Sequence, residues 1–118
     1  MDDGVQEDRR GGPLPGRPVR GSESGRPVMA AFDLLGRRWA LSILWELRFG
    51  QVRFSGLRDR IDGMSPSTLS QRLTELTEAR IVTPTATGYR LTVHGRSLLL
   101  ALGPLELWAQ TWAHATGD

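Results

Sequence analysis

Apolar side chains recur at helical spacing along the chain from residue 26 onward. Segment 27–36 places them on one face and ends at a glycine, which is typical of a helix that packs by one side. Segment 38–49 is apolar on nearly all sides, so we expect a helix in the middle of the core. A short extended piece over 52–54 and a brief helix over 55–61 follow. The first half of the domain is therefore predicted to be almost wholly helical.

The clearest helix signal covers residues 65–79. Ser65 is a natural N-cap, and the next residue is a proline, whose missing N–H costs nothing at the first helical position. Leu69, Leu73 and Leu76 form a narrow apolar stripe, while the opposite face carries short polar side chains. The pattern predicts a helix that packs by one thin edge and presents hydroxyl and amide groups outward.

Two short strands are predicted after this helix, over 81–85 and 89–93, joined by a three-residue link. A last helix, capped by Thr92, begins at about residue 93 and runs to 112, with a kink or division at the Gly-Pro pair 103–104. The order helix, helix, short strand, helix, helix, hairpin, helix is that of a winged helix-turn-helix, whose fourth helix enters the DNA major groove. The predicted fold class is mainly α with a small β-hairpin.

The first 25 residues have a different composition, with six glycines, three prolines and, beyond the initial Met1, three large apolar residues. Such a segment cannot bury enough surface to offset chain entropy, so we expect a disordered tail. The alternative is an arm that follows DNA phosphates with Arg9, Arg10, Arg17 and Arg20, although interspersed acids argue against it. The predicted organisation is a tail (1–25), a DNA-binding domain with dimerisation helices (26–114) and a C-terminal end (115–118).

Positive charge is concentrated in the middle of the domain. All 15 basic residues are arginines, and segment 37–96 holds ten of them against five acids. A nucleic-acid-binding protein has this distribution, and the forked guanidinium suits phosphate. A solvated surface would tolerate the same charge, so this observation supports DNA binding without establishing it.

Several function classes are excluded or disfavoured. The chain has no cysteine, which removes disulfide frameworks, thiolate zinc sites and thiol chemistry. No apolar run reaches membrane-spanning length and no secretory pattern opens the chain, so we expect a cytoplasmic protein that does not enter the membrane. His94 and His114 lack metal-ligand spacing, and no phosphate loop, catalytic elbow or dinucleotide fingerprint is present. We expect no enzyme activity, no metal and no cofactor.

Residues 26–112 contain three stretches that carry a resemblance: RPVMAAFDLLGRRWALSILWEL, RFSGLRDRIDGMSPSTLSQRLTEL and GYRLTVHGRSLL. They resemble the HxlR family of bacterial transcription regulators, a branch of the winged-helix group that includes the MarR family. The resemblance implies a cytoplasmic homodimer that binds a short inverted repeat in double-stranded DNA and represses or activates a neighbouring promoter. It also implies pairing of the two chains largely through their first and last helices.

The chain departs from this family at four places. Arg26 stands where many relatives carry a cysteine, so the resemblance does not extend to thiol sensing. Ser67 stands where relatives usually have lysine, and Trp45 where they often have arginine. The hairpin tip, 86–88, is uncharged and shorter than the usual wing, so we expect substitutions at Thr87 and Gly88 to matter little for DNA binding.

Candidate DNA contacts lie mainly on the predicted recognition helix, residues 66–79. Glutamine pairs bidentately with adenine and arginine with guanine, with phosphate as the alternative for Arg72. Short hydroxyls near a helix N-terminus suit phosphate oxygens, although capping is the better-supported role for Ser65. Arg53 and Arg90 are phosphate candidates, with plain solvation as the alternative. The predicted contact set is Arg53, Ser65, Ser67, Thr68, Ser70, Gln71, Arg72 and Arg90.

The last helix has apolar residues on more than one face, which marks an association surface. The predicted dimer interface consists of Val28, Phe32, Leu35, Leu98, Leu105, Trp108 and Trp112. Large aromatic residues are most often packing anchors, and that interpretation is favoured for the tryptophans. The alternative is a pocket for a small aromatic effector formed by Trp39, Trp45 and Trp108.

The sequence thus predicts a dimeric, sequence-specific regulator of transcription. The short hairpin and Ser67 keep a second hypothesis open. In that alternative the chain is a winged-helix dimer with weak DNA binding that serves as a protein-interaction or small-ligand-binding module.

Overall fold

The computed structural model describes residues 12–19 and 25–117. Among these residues the predicted helices and hairpin are confirmed: the described chain is mainly helical and carries one two-stranded antiparallel hairpin. None of the helices formed by the described residues is long and apolar enough to cross a membrane. In chain order the elements are α1 (Pro27–Gly36), α2 (Ala40–Glu46), α3 (Phe54–Arg60), α4 (Pro66–Glu78), β1 (Val82–Pro84), β2 (Tyr89–Leu91), α5 (Val93–Ala101) and α6 (Gly103–Gly117).

The core is built around α4 and the inner side of α2. Leu69, Leu73 and Leu76, the predicted stripe of α4, are all buried. They join one cluster with residues from α1, α2, α3 and both strands: Leu34, Ile43, Leu44, Leu47, Val52, Leu57, Ile61, Met64, Val82 and Leu91. The apolar stripe read from the sequence is therefore the edge by which α4 packs.

Helix α2 is less enclosed than its composition predicts. Ile43 and Leu44 are fully buried, whereas Leu41 and Trp45 remain 42% and 47% exposed. The expectation of a helix surrounded by core is therefore wrong for this chain. A domain of this size has one core layer, which covers one side of α2 and leaves the apolar residues of the other side at the surface.

The hairpin is shorter than predicted and is fastened to the chain that precedes α3. Its strands pair Val82 with Leu91, Thr83 with Arg90 and Pro84 with Tyr89. The predicted extended piece is reduced to one bridge, in which the Val52 N–H donates to the Tyr89 carbonyl at 3.0 Å and the Tyr89 N–H donates to the Val52 carbonyl at 2.9 Å. This bridge anchors the hairpin close to the start of α3.

The long C-terminal helix is divided where the Gly-Pro pair predicts a break. Helix α5 begins at its N-cap Thr92, whose hydroxyl accepts a hydrogen bond from the Gly95 N–H at 3.0 Å. It ends at Ala101 with Leu102 as its C-cap, and α6 begins at Gly103. Pro104 lies in the first turn of α6, where no intrahelical N–H donor is needed. None of the α6 residues is buried.

Part of the predicted tail lies against α4. Gly12 and Pro13 are buried, and the Gly12 N–H donates to Glu78 Oε1 at 2.9 Å. Arg17 lies 3.7 Å from the same carboxylate. The glycine at position 12 allows this close approach to α4, because a Cβ there would stand 2.9 Å from the Glu75 Cβ. Disorder of the tail stays a prediction. The remainder of the predicted tail, 1–11 and 20–24, lies outside the described residues.

Candidate nucleic-acid interface

The N-terminus of α4 is closed by a small hydroxyl network. Ser65 Oγ accepts a hydrogen bond from the Thr68 N–H at 3.1 Å and donates to Thr68 Oγ1 at 2.9 Å. Ser65 and Ser67 hydroxyls are 3.2 Å apart. The capping role predicted for Ser65 is confirmed. Exposed hydroxyls thus surround a helix end whose free N–H groups favour anions.

The outward face of α4 is polar along its length. Ser67, Ser70, Gln71 and Thr74 are exposed, and Thr68 is half-buried. The Thr74 hydroxyl donates to the Ser70 carbonyl at 3.0 Å, so it is held along the helix. Within the described part of the chain, the Gln71 amide has no hydrogen-bond partner. Its donor and acceptor are therefore both available on the surface.

Arg72 is placed differently from its neighbour Gln71. Its Nε donates to the Arg38 carbonyl at 2.9 Å, and its Nη1 donates to Glu75 Oε1 at 3.1 Å. Only 17% of the side chain is exposed. Of the predicted contact residues, Arg72 is the one whose guanidinium is already held by a protein carboxylate and a protein carbonyl.

Arg53 and Arg90 are brought together by the bridge between Val52 and Tyr89. Each arginine follows one of the bridged residues, and each is exposed. Since side chains alternate along a strand, both arginines lie on the side opposite the buried Val52. Two exposed arginines thus adjoin the bridge that joins the hairpin to the start of α3.

Two hydrogen bonds hold the hairpin tip. The Thr85 N–H donates to the Gly88 carbonyl at 2.7 Å, and the Gln51 amide bonds to the Thr87 hydroxyl. A Cβ at Gly88 would lie 2.4 Å from the Val52 carbonyl oxygen. A side chain at Gly88 would therefore displace the backbone of the neighbouring segment, while the expectation that changes at this tip matter little for DNA binding stays a prediction.

The predicted dimer surface is largely exposed. Val28, Phe32, Leu105, Trp108 and Trp112 are each about half exposed or more, whereas Leu35 and Leu98 pack against the core. Trp108 and Trp112 stack with ring centroids 5.2 Å apart. The apolar surface of α1 and α6 has thus no cover within the described chain.

The three tryptophans of the predicted effector pocket have different neighbours. Trp39 packs against the core with Arg38 over its ring, while Trp45 is covered by Arg48 at 3.9 Å and Trp108 stacks on another indole. None of these contacts joins two of the pocket residues, so the pocket stays a prediction. A shallow groove lies elsewhere, between α4 and the hairpin, lined by Leu73, Thr74, Thr77, Glu78, Pro84 and Tyr89.

Sequence reasoning missed a buried ionic junction behind α4. Arg37 Nη1 lies 3.0 Å from Glu75 Oε2, and Arg37 Nη2 lies 3.5 Å from Asp33 Oδ2. The i,i+4 spacing of Asp33 and Arg37 and the i,i+3 spacing of Arg72 and Glu75 were visible signals. No local pattern could have shown that residues 38 positions apart would meet.

Comparison with known proteins agrees with this architecture. A family model described as HxlR-like helix-turn-helix matches residues 34–116. The Bacillus subtilis HTH-type transcriptional regulator YvaP, itself uncharacterized, is 35% identical over 89 residues, which are 70% of this chain and 82% of YvaP. The crystal structure of quinone-bound YodB from B. subtilis has 33% identity and a TM-score of 0.68, covering 71% of this chain and 96% of YodB. A MarR-family regulator from Enterococcus faecalis has 25% identity and a TM-score of 0.69, covering 84% of this chain and 96% of its own.

Proposed function

Since this chain belongs to the HxlR-like helix-turn-helix family of transcriptional regulators, we propose that it binds double-stranded DNA sequence-specifically, with α4 as the recognition helix in the major groove. The two-sided character of α4 carries the proposal. Leu69 and Leu73 are buried, while Ser70 and Gln71 are exposed on the other side. The exposed groups have the size and hydrogen-bonding type that contact base edges and phosphates.

The proposed contacts divide by chemistry. Gln71 reads an adenine through its paired donor and acceptor, which the surrounding chain leaves available. Ser67, Thr68 and Ser70 bind phosphate or base edges near the helix N-terminus, with Ser65 holding that end in place. Arg53 and Arg90 bind phosphates beside the hairpin.

We also propose that the chain works as a homodimer on an inverted repeat. The exposed apolar residues of α1 and α6 support this, because a soluble monomer rarely leaves so many large side chains uncovered. Phe32 is 62% exposed, and Trp108 and Trp112 are 57% and 55% exposed. Two-fold pairing through these helices places the two recognition helices in successive major grooves, roughly 34–36 Å apart.

The proposed regulator has no catalytic role and acts in the cytoplasm. Because the chain has no cysteine, its regulation does not run through a thiol of its own. YodB, a relative, is known in a quinone-bound form. We include a small aromatic effector in the proposal, bound without a thiol, with Trp39, Trp45 and Trp108 as candidate contacts.

Selection of bound fragments from random duplex DNA tests the proposal. We expect an enriched inverted repeat with half-sites one helical turn apart. The Gln71→Ala variant should lose about 1–3 kcal/mol of discrimination at one base pair per half-site. Gln110→Ala, a matched change of an exposed glutamine on α6, should leave the preference unchanged.

The same selection distinguishes the alternative function. If no sequence is enriched and binding to all duplexes is weak, sequence-specific regulation is contradicted. That result would favour the interaction or ligand-binding module, to which the uncovered apolar surface is equally suited.

A further inference from the structure

Two arginines contact Glu75 of α4, one at each carboxylate oxygen. Arg37, just after α1, lies 3.0 Å from Oε2, and Arg72 donates to Oε1 at 3.1 Å. Arg37 also lies 3.5 Å from Asp33. The side chains of Arg37, Asp33 and Glu75 are 6%, 4% and 4% exposed. Two acids and two guanidiniums of the described chain thus meet in one cluster that is largely shielded from water.

This junction binds three parts of the fold to one another. Asp33 lies on α1, Glu75 lies on α4, and the Arg38 carbonyl belongs to the corner between α1 and α2. Arg72 connects to the last two, because its Nε donates to that carbonyl at 2.9 Å. At the same corner Trp39 adopts the left-handed conformation, with φ of 78°. The planar guanidinium fork of Arg72 therefore connects α4 to the corner between α1 and α2.

These ion pairs fix the relative placement of the helices more than they add to the stability of the fold. Charges removed from water lose hydration, so buried ion pairs often add little stability, and their directional bonds select one arrangement of the packed elements. The leucine stripe of α4 lacks such direction, because apolar contacts tolerate small rotations and shifts of the helix.

We propose that Arg72 is a positioning residue for the recognition helix: it acts through Glu75 and the Arg38 carbonyl to set the angle of α4, and it does not contact DNA. This inference rests on the proposed function. It replaces the expectation that Arg72 reads guanine or binds phosphate. The neighbouring Gln71, which is exposed, keeps its contact with the base.

Operator binding by Arg72→Met tests the proposal, because the change keeps the apolar stem and removes the fork. Without the fork, α4 has the orientation that binds DNA in only a fraction of the molecules. The dissociation constant for DNA therefore rises by the inverse of that fraction. The complex, once formed, is the same. We expect affinity to fall by about tenfold, with the salt dependence and the base preference unchanged.

Arg90→Met serves as the matched control for a phosphate contact. Losing one phosphate contact lowers the slope of log affinity against log salt by about 0.9. If wild type binds no DNA specifically, the proposed function fails. If wild type binds and Arg72→Met lowers the slope as Arg90→Met does, or relaxes one base pair, the positioning role is overturned.

Two further measurements separate positioning from stability alone. All DNA titrations are made under conditions well away from unfolding, so that a variant that is only less stable stays folded and binds DNA as wild type does. Unchanged DNA affinity of the folded Arg72→Met variant would overturn the proposal. Arg72→Lys retains the charge without the fork, so we expect it to lose affinity as well. The effects of Arg72→Met and Glu75→Gln should not multiply in the double variant, whereas full multiplication would contradict action through Glu75.

Discussion

Replacing Gly88 with alanine tests how the hairpin is attached to the domain. The new Cβ would lie 2.4 Å from the Val52 carbonyl oxygen, 2.8 Å from its carbonyl carbon and 2.9 Å from the Arg53 Cα. All three are backbone atoms, so no side chain can rotate away. The Val52 carbonyl is itself held by the Tyr89 N–H at 2.9 Å. Relief of the clash therefore requires the bridge between Val52 and Tyr89 to open.

The expected cost follows from what the open bridge loses. Its two backbone hydrogen bonds contribute about 1 kcal/mol each. Val52 is 7% exposed, and shifts forced on a packed core side chain add about 1–3 kcal/mol. We therefore expect Gly88→Ala to lower the free energy of unfolding by roughly 3–5 kcal/mol.

Urea unfolding followed by tryptophan fluorescence measures this loss, at one fixed protein concentration because association shifts the apparent stability. Gly36→Ala is the matched control, since a Cβ there meets nothing within 4 Å. It should leave stability unchanged or raise it by about 0.5–1 kcal/mol. A Gly88→Ala midpoint equal to that of wild type would refute the attachment argued for the hairpin.

Three other changes have expected outcomes. Ser65→Ala removes the cap on the Thr68 N–H and should cost about 1 kcal/mol in urea unfolding; an unchanged midpoint would contradict the cap. Thr92→Val removes the acceptor for the Gly95 N–H and the hydroxyl bond to the Arg80 carbonyl, so thermal unfolding should show a loss of about 1–2 kcal/mol. The double variant Leu105→Glu, Trp108→Glu should become a folded monomer by sedimentation, because α6 buries no residue in its own chain; a folded wild-type monomer at micromolar concentration would contradict the dimer.

Helix α4 could be predicted because its signals are local. The Ser-Pro start, the leucine stripe and the run of short polar residues all lie within one segment, and each is confirmed. The hairpin and the division at the Gly-Pro pair were likewise predicted from neighbouring residues. The attachment of Gly88 to Val52 could not be, because it joins segments 36 residues apart that only the folded chain brings together.

The number of exposed arginines was overestimated from the sequence, because it too depends on contacts between distant segments. Composition places ten arginines in segment 37–96 and treats them as one positive surface. Arg37 is only 7% exposed and Arg72 is mostly covered, and both are paired with Glu75. Net charge counts residues but not directions, so it cannot separate a guanidinium that faces DNA from one that supports a helix.

Gln71 and Arg72 are adjacent in sequence, yet their side chains have different surroundings. Consecutive residues on an α-helix point about 100° apart, so when Gln71 faces outward, Arg72 must face sideways. The residue three positions on, Glu75, then lies beneath Arg72 on the same side. The spacing of Arg72 and Glu75 is visible in the sequence, yet an ion pair exposed on the helix surface would have the same spacing. Only the presence of Arg37 and the Arg38 carbonyl on the adjoining corner makes that side an interior one. Which side of α4 faces outward thus depends on residues that the local pattern of α4 does not include.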